Sequence, residues 1–407
     1  MGPPLYLFPG KDPMKVVCDR NALFEAVSVV SGVVNTRSPK PQLACIKLTA
    51  EGDSGAGSLL LEATDGEASV RISTMSVQVE EAGDTLVPAD KLRQIVGAED
   101  NEPTLTIETD GDTCHIKGAD AHFTVYGYPA KEFPELPSFA DIASGKTGPK
   151  PKDVFTAQSG VISSLINKSI FAAARENTRY AINGVLMKRD GKKLEMVATD
   201  GRRLALCRGS VPGGNNDGPP ASCIIPSKAL NLIQKLADDP EESITIAVTE
   251  TQAVFAIGGS ESDGEGARAT LATSLVEGTF PPYEDVIPSD QDKKATFDKS
   301  VLGSAVKRAA LLTNEESRGV RMSFNGSSKQ LELASRAPEV GEATINVDMP
   351  SYDGDDVEIG FNPQFIAEAL RVVPEQDIII ELKSTNKPGL LKAGSDFLYV
   401  VMPVNLQ

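Results

Sequence analysis

Asp65 and Asp200 occupy identical Ala-Thr-Asp-Gly segments, at 63–66 and 198–201. An aspartate at the end of a strand could act as a nucleophile or hold magnesium. A hydrolase built on Asp200 would need a metal or a second acid beside it, and the sequence supplies neither. Asp-Gly is also a common turn pair, so a structural turn is the better reading of both. Gly145-Lys146-Thr147 looks like the end of a phosphate-binding loop, which needs another glycine five residues earlier and a helix directly afterwards. Position 140 is alanine and Gly148-Pro149-Lys150-Pro151 follows, so this stretch reads as a connector. His115 and His122 are the chain's two histidines, little material for histidine catalysis or a metal. Cys18, Cys45, Cys114, Cys207 and Cys223 are odd in number and widely spaced, which suits buried thiols in a reducing cytoplasm. No enzyme activity, metal or cofactor is therefore expected.

The repeated aspartates belong to a longer pattern. They stand about 135 residues apart. LVPADKLRQIV around Pro88 returns as IIPSKALNLIQKL around Pro226 and as GFNPQFIAEALRVV around Pro363. FPELP at 133–137 returns as FPPYEDVIP at 280–288, with VMPVNLQ at the C-terminus. Self-similarity at this step means three copies of one α+β unit. The 407 residues, 40% hydrophobic, can give each copy a core. The expected division is 1–13 as an N-terminal extension without fixed structure, 14–137 as domain 1, 138–152 as linker, 153–288 as domain 2 and 289–407 as domain 3.

Apolar residues at three-to-four spacing predict a first helix in each copy, over 21–34, 160–174 and 300–312. A second helix follows each proline marker, over 89–96, 227–236 and 363–372. Alternating segments such as LLLEAT, LEMVAT and LELAS predict strands entering turns, and TLTIET, SITIAVT and DIIIEL predict further hairpin strands. Each copy is thus two helices packed on antiparallel sheet. No apolar run approaches the length of a membrane span.

The net charge is −17, so basic residues recurring on first helices and adjoining turns stand out. They are Arg20, Arg37, Lys168, Arg175, Arg179, Lys307, Arg308, Arg318 and Arg321. A chain that is acidic overall but basic on one internal surface would repel nucleic acid outside and tolerate it inside.

Several motifs carry a family resemblance: Arg179-Tyr180-Ala-Ile-Asn-Gly184, Val197-Ala-Thr-Asp-Gly-Arg-Arg-Leu-Ala205, Phe280-Pro281, Asn314-Glu315 with Arg318-Gly-Val-Arg321, Glu358-Ile-Gly-Phe-Asn362 and Tyr399-Val-Val-Met-Pro403. In this order, from Met14 to Leu406, they resemble the bacterial DNA sliding clamps, the β subunits of DNA polymerase III. The resemblance implies a DNA-clamp fold: a head-to-tail homodimer of three-domain protomers, closed as a six-domain ring around duplex DNA and acting as a polymerase processivity factor in the cytoplasm. It implies DNA contacts at Arg37, Arg175, Arg179 and Tyr180, with Lys307 and Arg308. Phe123 and Val125 would meet Leu311 and Leu312 across the dimer seam.

The resemblance also implies an apolar pocket for partner peptides, formed by Ile182, Thr199, Gly201, Arg202, Arg203, Leu204, Pro281, Val286, Val400, Met402, Pro403, Val404 and Leu406. Its ligands would be Gln-x-x-Leu-Phe-like segments of the polymerase III catalytic subunit, the clamp loader, mismatch-repair proteins or ligase. Arg202, Ala181, Asp285 and Asn405 depart from the family's common residues at those places. A triplicated scaffold without DNA is the alternative reading.

Overall fold

The structure, a computed structural model, describes residues 13–53, 56–146, 148–175, 181–212, 220–259, 266–313 and 319–405. All but the last residue of the expected N-terminal extension thus lies outside it. The described chain forms two compact units: Met1–Gly160 with Lys228–Leu275, and Val161–Ser227 with Val276–Gln407. Residues 153–288 are shared between them.

Unit 1 contains an eight-stranded and a five-stranded sheet. The larger runs through Asp153–Gln158, Ser243–Val248, Gln252–Ile257, Ala269–Ser274, Ala68–Thr74, Ala56–Thr64, Cys45–Asp53 and Gly83–Pro88. Every step in it is antiparallel. The smaller runs through Val77–Glu81, Lys15–Asp19, Thr104–Asp110, Thr113–Lys117 and His122–Tyr126. The helices are α1 (Arg20–Val30), α2 (Ala89–Ala98), α3 (Phe139–Ala143), α4 (Ser159–Ser169), α5 (Ser227–Leu236), α6 (Lys299–Ala309) and α7 (Pro363–Val372). The fold is α+β, as the repeat pattern implies.

α1 starts where Asp19 Oδ1 accepts from Ala22 N at 2.9 Å, and it buries Leu23, Ala26, Val27 and Val30. It ends four residues before the expected Val34, because Ser31 and Gly32 turn their N–H groups back onto Val27 and Val29. Arg20 is not a surface cation. It is 8% exposed and donates from Nε to Val96 O at 2.9 Å and from Nη2 to Gly97 O at 3.0 Å. Those carbonyls end α2, so the guanidinium caps that helix. The segment expected as linker carries α3. Ser138 caps it, and Phe139 and Ile142 are buried against Ala247, Val254, Ala256 and Ala272. Gly145 and Lys146 follow it, and Thr147 lies outside the described residues.

Unit 2 has a nine-stranded sheet, in order Ala221–Pro226, Gly184–Asp190, Lys193–Thr199, Arg203–Ser210, Phe397–Val401, Gly389–Ala393, Asp377–Leu382, Lys293–Asp298 and Ser351–Asp353. A four-stranded sheet joins Gly341–Asp348, Gln330–Ala337, Val320–Asn325 and Val357–Phe361. Asp298 caps α6 and Asn362 caps α7, and the two helices pack on one another. All five cysteines are buried.

Candidate functional site

The recurring Thr-Asp-Gly turn builds an apolar concavity in unit 2. At its tip Asp200 Oδ1 accepts from Arg202 N at 3.0 Å and Arg203 N at 3.1 Å. Thr199 Oγ1 donates to Arg203 O at 2.6 Å and accepts from Gly201 N at 3.1 Å. Gly201 has φ +83°, a conformation that a side chain would strain. Asp65 makes the matching bonds in unit 1, to Glu67 N and Ala68 N, with Gly66 at φ +95°. Both aspartates therefore commit Oδ1 to turn geometry and Oδ2 to a cation, Arg203 or Lys228, in keeping with the turn reading.

From that turn Arg203–Ser210 runs antiparallel to the C-terminal strand, with Leu204 opposite Val400. Met402 N donates to Arg202 O at 2.9 Å, extending the pairing to the rim. Phe280 and Tyr283 are buried beside Ala181, Ile182, Val197, Leu204, Leu206 and Val400, so the floor belongs to the unit's core. The result is a cavity of about 320 Å³ lined by Ile182, Thr199, Gly201, Arg203, Leu204, Pro281, Pro282, Tyr283, Val286, Val400 and Met402. Val286 (44% exposed) and Met402 (38%) hold apolar surface open to water at its rim.

Arg203 is fixed beneath this wall. It bonds to Asp200 Oδ2 at 3.0 Å, to Glu368 and to Phe171 O at 2.7 Å, with its guanidinium 4.4 Å from the Phe365 ring centroid. Burial pushes Glu368 upward. The Arg203 and Gln364 hydrogen bonds and the nearby Arg203 and Arg175 charges outweigh that and hold its carboxyl below the usual range. Nε, Nη1 and Nη2 of Arg203 each already donate within the unit, and its aromatic neighbours make it part of the wall.

Nine of the thirteen expected pocket residues line this cavity. Arg202 is exposed and stands outside the lining. Pro403 and Val404 leave it because Val404 N donates to Gly360 O at 2.9 Å, drawing the tail onto the strand Val357–Phe361. Leu406 lies outside the described residues. Pro282 and Tyr283 line the cavity and were missed, although the recurring FPPYEDVIP motif contains both.

Unit 1 holds a counterpart cavity of about 190 Å³ around Thr64 and Gly66. Ser69, Ala272 and Ser274 stand there at the register positions of Leu204, Val400 and Met402. The repeat copies the turn while its side chains make only one of the two grooves strongly apolar.

Among the expected DNA contacts, Arg37 is exposed in unit 1, while Arg175, Lys307 and Arg308 are exposed in unit 2. Arg179 and Tyr180 lie outside the described residues. Of the expected seam residues, Val125 is buried in unit 1 and Phe123 is half-buried beside it on the sheet's edge strand. Leu311 is 77% exposed and Leu312 half-buried in unit 2.

Three family models match the chain: the N-terminal, central and C-terminal domains of the DNA polymerase III beta subunit, over residues 14–137, 156–282 and 284–405. A beta sliding clamp of Pseudomonas putida is 31% identical over 395 residues, 97% of this chain and 100% of the relative. That of Escherichia coli K12 is 29% identical over the same shares. A Pseudomonas aeruginosa sliding clamp solved bound to griselimycin superposes with a TM-score of 0.82 at 29% identity, covering 97% of this chain and all of that one. With three domain models in series and relatives matched along their full length, the chain belongs to the DNA polymerase III beta subunit family, the beta sliding clamps.

Proposed function

We propose that this chain is a processivity factor: two copies join head to tail as a ring around duplex DNA and tether partner proteins through the unit 2 groove. The groove of about 320 Å³ at the C-terminal strand carries the reading, because a concave apolar surface with exposed Met402 at its rim suits a short peptide. Burying one leucine and one phenylalanine supplies roughly 1.5–3 kcal/mol each before ordering costs. Micromolar affinity, about 8 kcal/mol, therefore needs the rest of the segment to contribute as well, and it suits partners that exchange. Those partners are the polymerase III catalytic subunit, the clamp loader, mismatch-repair proteins and ligase, each presenting a Gln-x-x-Leu-Phe-like segment.

No bond is made or broken. A closed ring cannot leave DNA without opening, so residence comes from topology, and the phosphate contacts need only be few and unspecific. Arg37, Arg175, Lys307 and Arg308, together with Arg179 and Tyr180, supply them. The three repeats act as domains over 14–137, 153–288 and 289–407, and the work is cytoplasmic. Fluorescence anisotropy with a labelled Gln-Leu-Asp-Leu-Phe peptide tests the groove. Micromolar binding that disappears in a chain ending at Val401 is the expected outcome. Equal binding to both chains, or none to either, removes the assignment.

A further inference from the structure

The chain's two histidines, unused by the groove, stand together in unit 1. His115 lies on Thr113–Lys117 and His122 on the neighbouring edge strand His122–Tyr126. The register sets His115 opposite Thr124 and His122 opposite Lys117, so both rings share the face turned away from buried Cys114, Ile116 and Val125. His122 Nε2 is 3.2 Å from His115 Nδ1, with ring centroids 5.2 Å apart and planes tilted by 49°. Thr124 Oγ1 is 3.3 Å from the same Nδ1. Two imidazole nitrogens bound to one tetrahedral ion at 2.0–2.1 Å each would stand about 3.3 Å apart. The observed spacing already matches.

We propose that His115 and His122 form a two-imidazole site for a divalent transition-metal ion, copper, nickel or zinc, on the outward face of this edge strand. Imidazole nitrogen suits these ions, whereas magnesium and calcium prefer oxygen. The ion replaces the hydrogen shared between the rings, and that proton moves to the far nitrogen of its own ring. Among the described residues no cysteine, aspartate or glutamate completes a three-ligand group with the pair, so water fills the remaining positions. Charged neighbours on this face include Lys117, Lys15, Asp110 and Glu108; Glu108 stands opposite His115 and pairs with both lysines. Competing ligands are separable. The cysteines are buried, and burial pushes Cys18, Cys45, Cys114 and Cys207 up to about 12. Glu99, Glu102 and Asp120 form an oxygen cluster that excess magnesium can occupy.

The test is calorimetric titration of the full, untagged chain with copper, nickel and zinc ions at neutral pH in excess magnesium. One site is expected, tighter for copper than for nickel or zinc. His115→Asn and His122→Asn should each weaken it roughly tenfold or more. Nitrogen hyperfine coupling in the copper electron-spin resonance spectrum should indicate two imidazoles in the wild type and one in either variant. Affinity unchanged in the double variant, a spectrum without nitrogen coupling, or no binding by the wild type would each overturn the site.

Discussion

Arg203 concentrates the chemistry of unit 2 into one side chain. It neutralises Asp200 and Glu368, takes Phe171 O and stacks near Phe365, all behind the apolar lining. Arg203→Ala leaves two partly buried carboxylates without their cation and should cost about 3–5 kcal/mol, read as a lowered urea midpoint. Arg203→Lys should recover part of this, since an ammonium keeps the charge but not the fork. The pH dependence has a definite sign. Glu368 is held below its ordinary range, so its contribution is present above the unfolded carboxylate values and is lost as pH falls through the folded one. Burial pushes Asp65 upward, yet hydrogen bonds from Ala68 N, Lys228 and Glu67 N, with the Lys228 charge, bring it below its usual range, giving the same direction. Glu368→Gln should therefore flatten the acid side of the stability profile. An unchanged acid slope would show that the pair contributes nothing to acid lability.

The element on which both grooves depend is the Thr-Asp-Gly turn. Gly201→Ala puts a side chain at φ +83° and should cost about 1–2 kcal/mol while displacing Arg202 and Leu204, so peptide affinity should fall with stability. Gly66→Ala, at φ +95°, should cost about as much and leave peptide affinity unchanged. Denaturant unfolding and anisotropy on both variants check this. Helix capping offers a quieter test: Asn362→Ala removes the acceptor of Gln364 N at 2.9 Å and should cost about 1 kcal/mol of unfolding free energy. At this scale the sequence is easiest to read. Helical spacing located α5 and α7 with their bounds, because proline and apolar periodicity mark both ends. It overran α1, where an ordinary Ser-Gly pair closes the helix through backbone bonds that leave no compositional trace. It missed α3, whose two buried side chains look like part of a Gly- and Pro-rich connector. Most of the groove lining was legible through resemblance, whereas the loss of Pro403 and Val404 depended on a single backbone bond to Gly360. Nothing in the sequence separates Arg20 from a surface cation; only the carbonyls at the end of α2 make it a helix cap.

For the whole molecule, the proposed ring needs a seam, and the open edge strand His122–Tyr126 in unit 1 together with Leu311 in unit 2 supplies unpaired surface for one. Leu311→Ala combined with Leu312→Ala should convert dimers to monomers in sedimentation velocity. A dimer that survives both changes rejects this seam. The same variant should lose retention on circular DNA while keeping its groove affinity, since topology and peptide binding are separate properties.

The path of the chain has a further consequence. The polypeptide leaves unit 1 after Gly160, returns at Lys228 and leaves again after Leu275. In the eight-stranded sheet, Asp153–Gln158 reaches the strands of the N-terminal half only through Ser243–Val248, Gln252–Ile257 and Ala269–Ser274. During synthesis that sheet stays open until the ribosome has passed Ser274, while Val161–Ser227 waits longer still for the C-terminal strand Phe397–Val401. A nascent chain must therefore hold unfinished sheet edges through most of its translation. No single cut in the finished gene yields either unit intact.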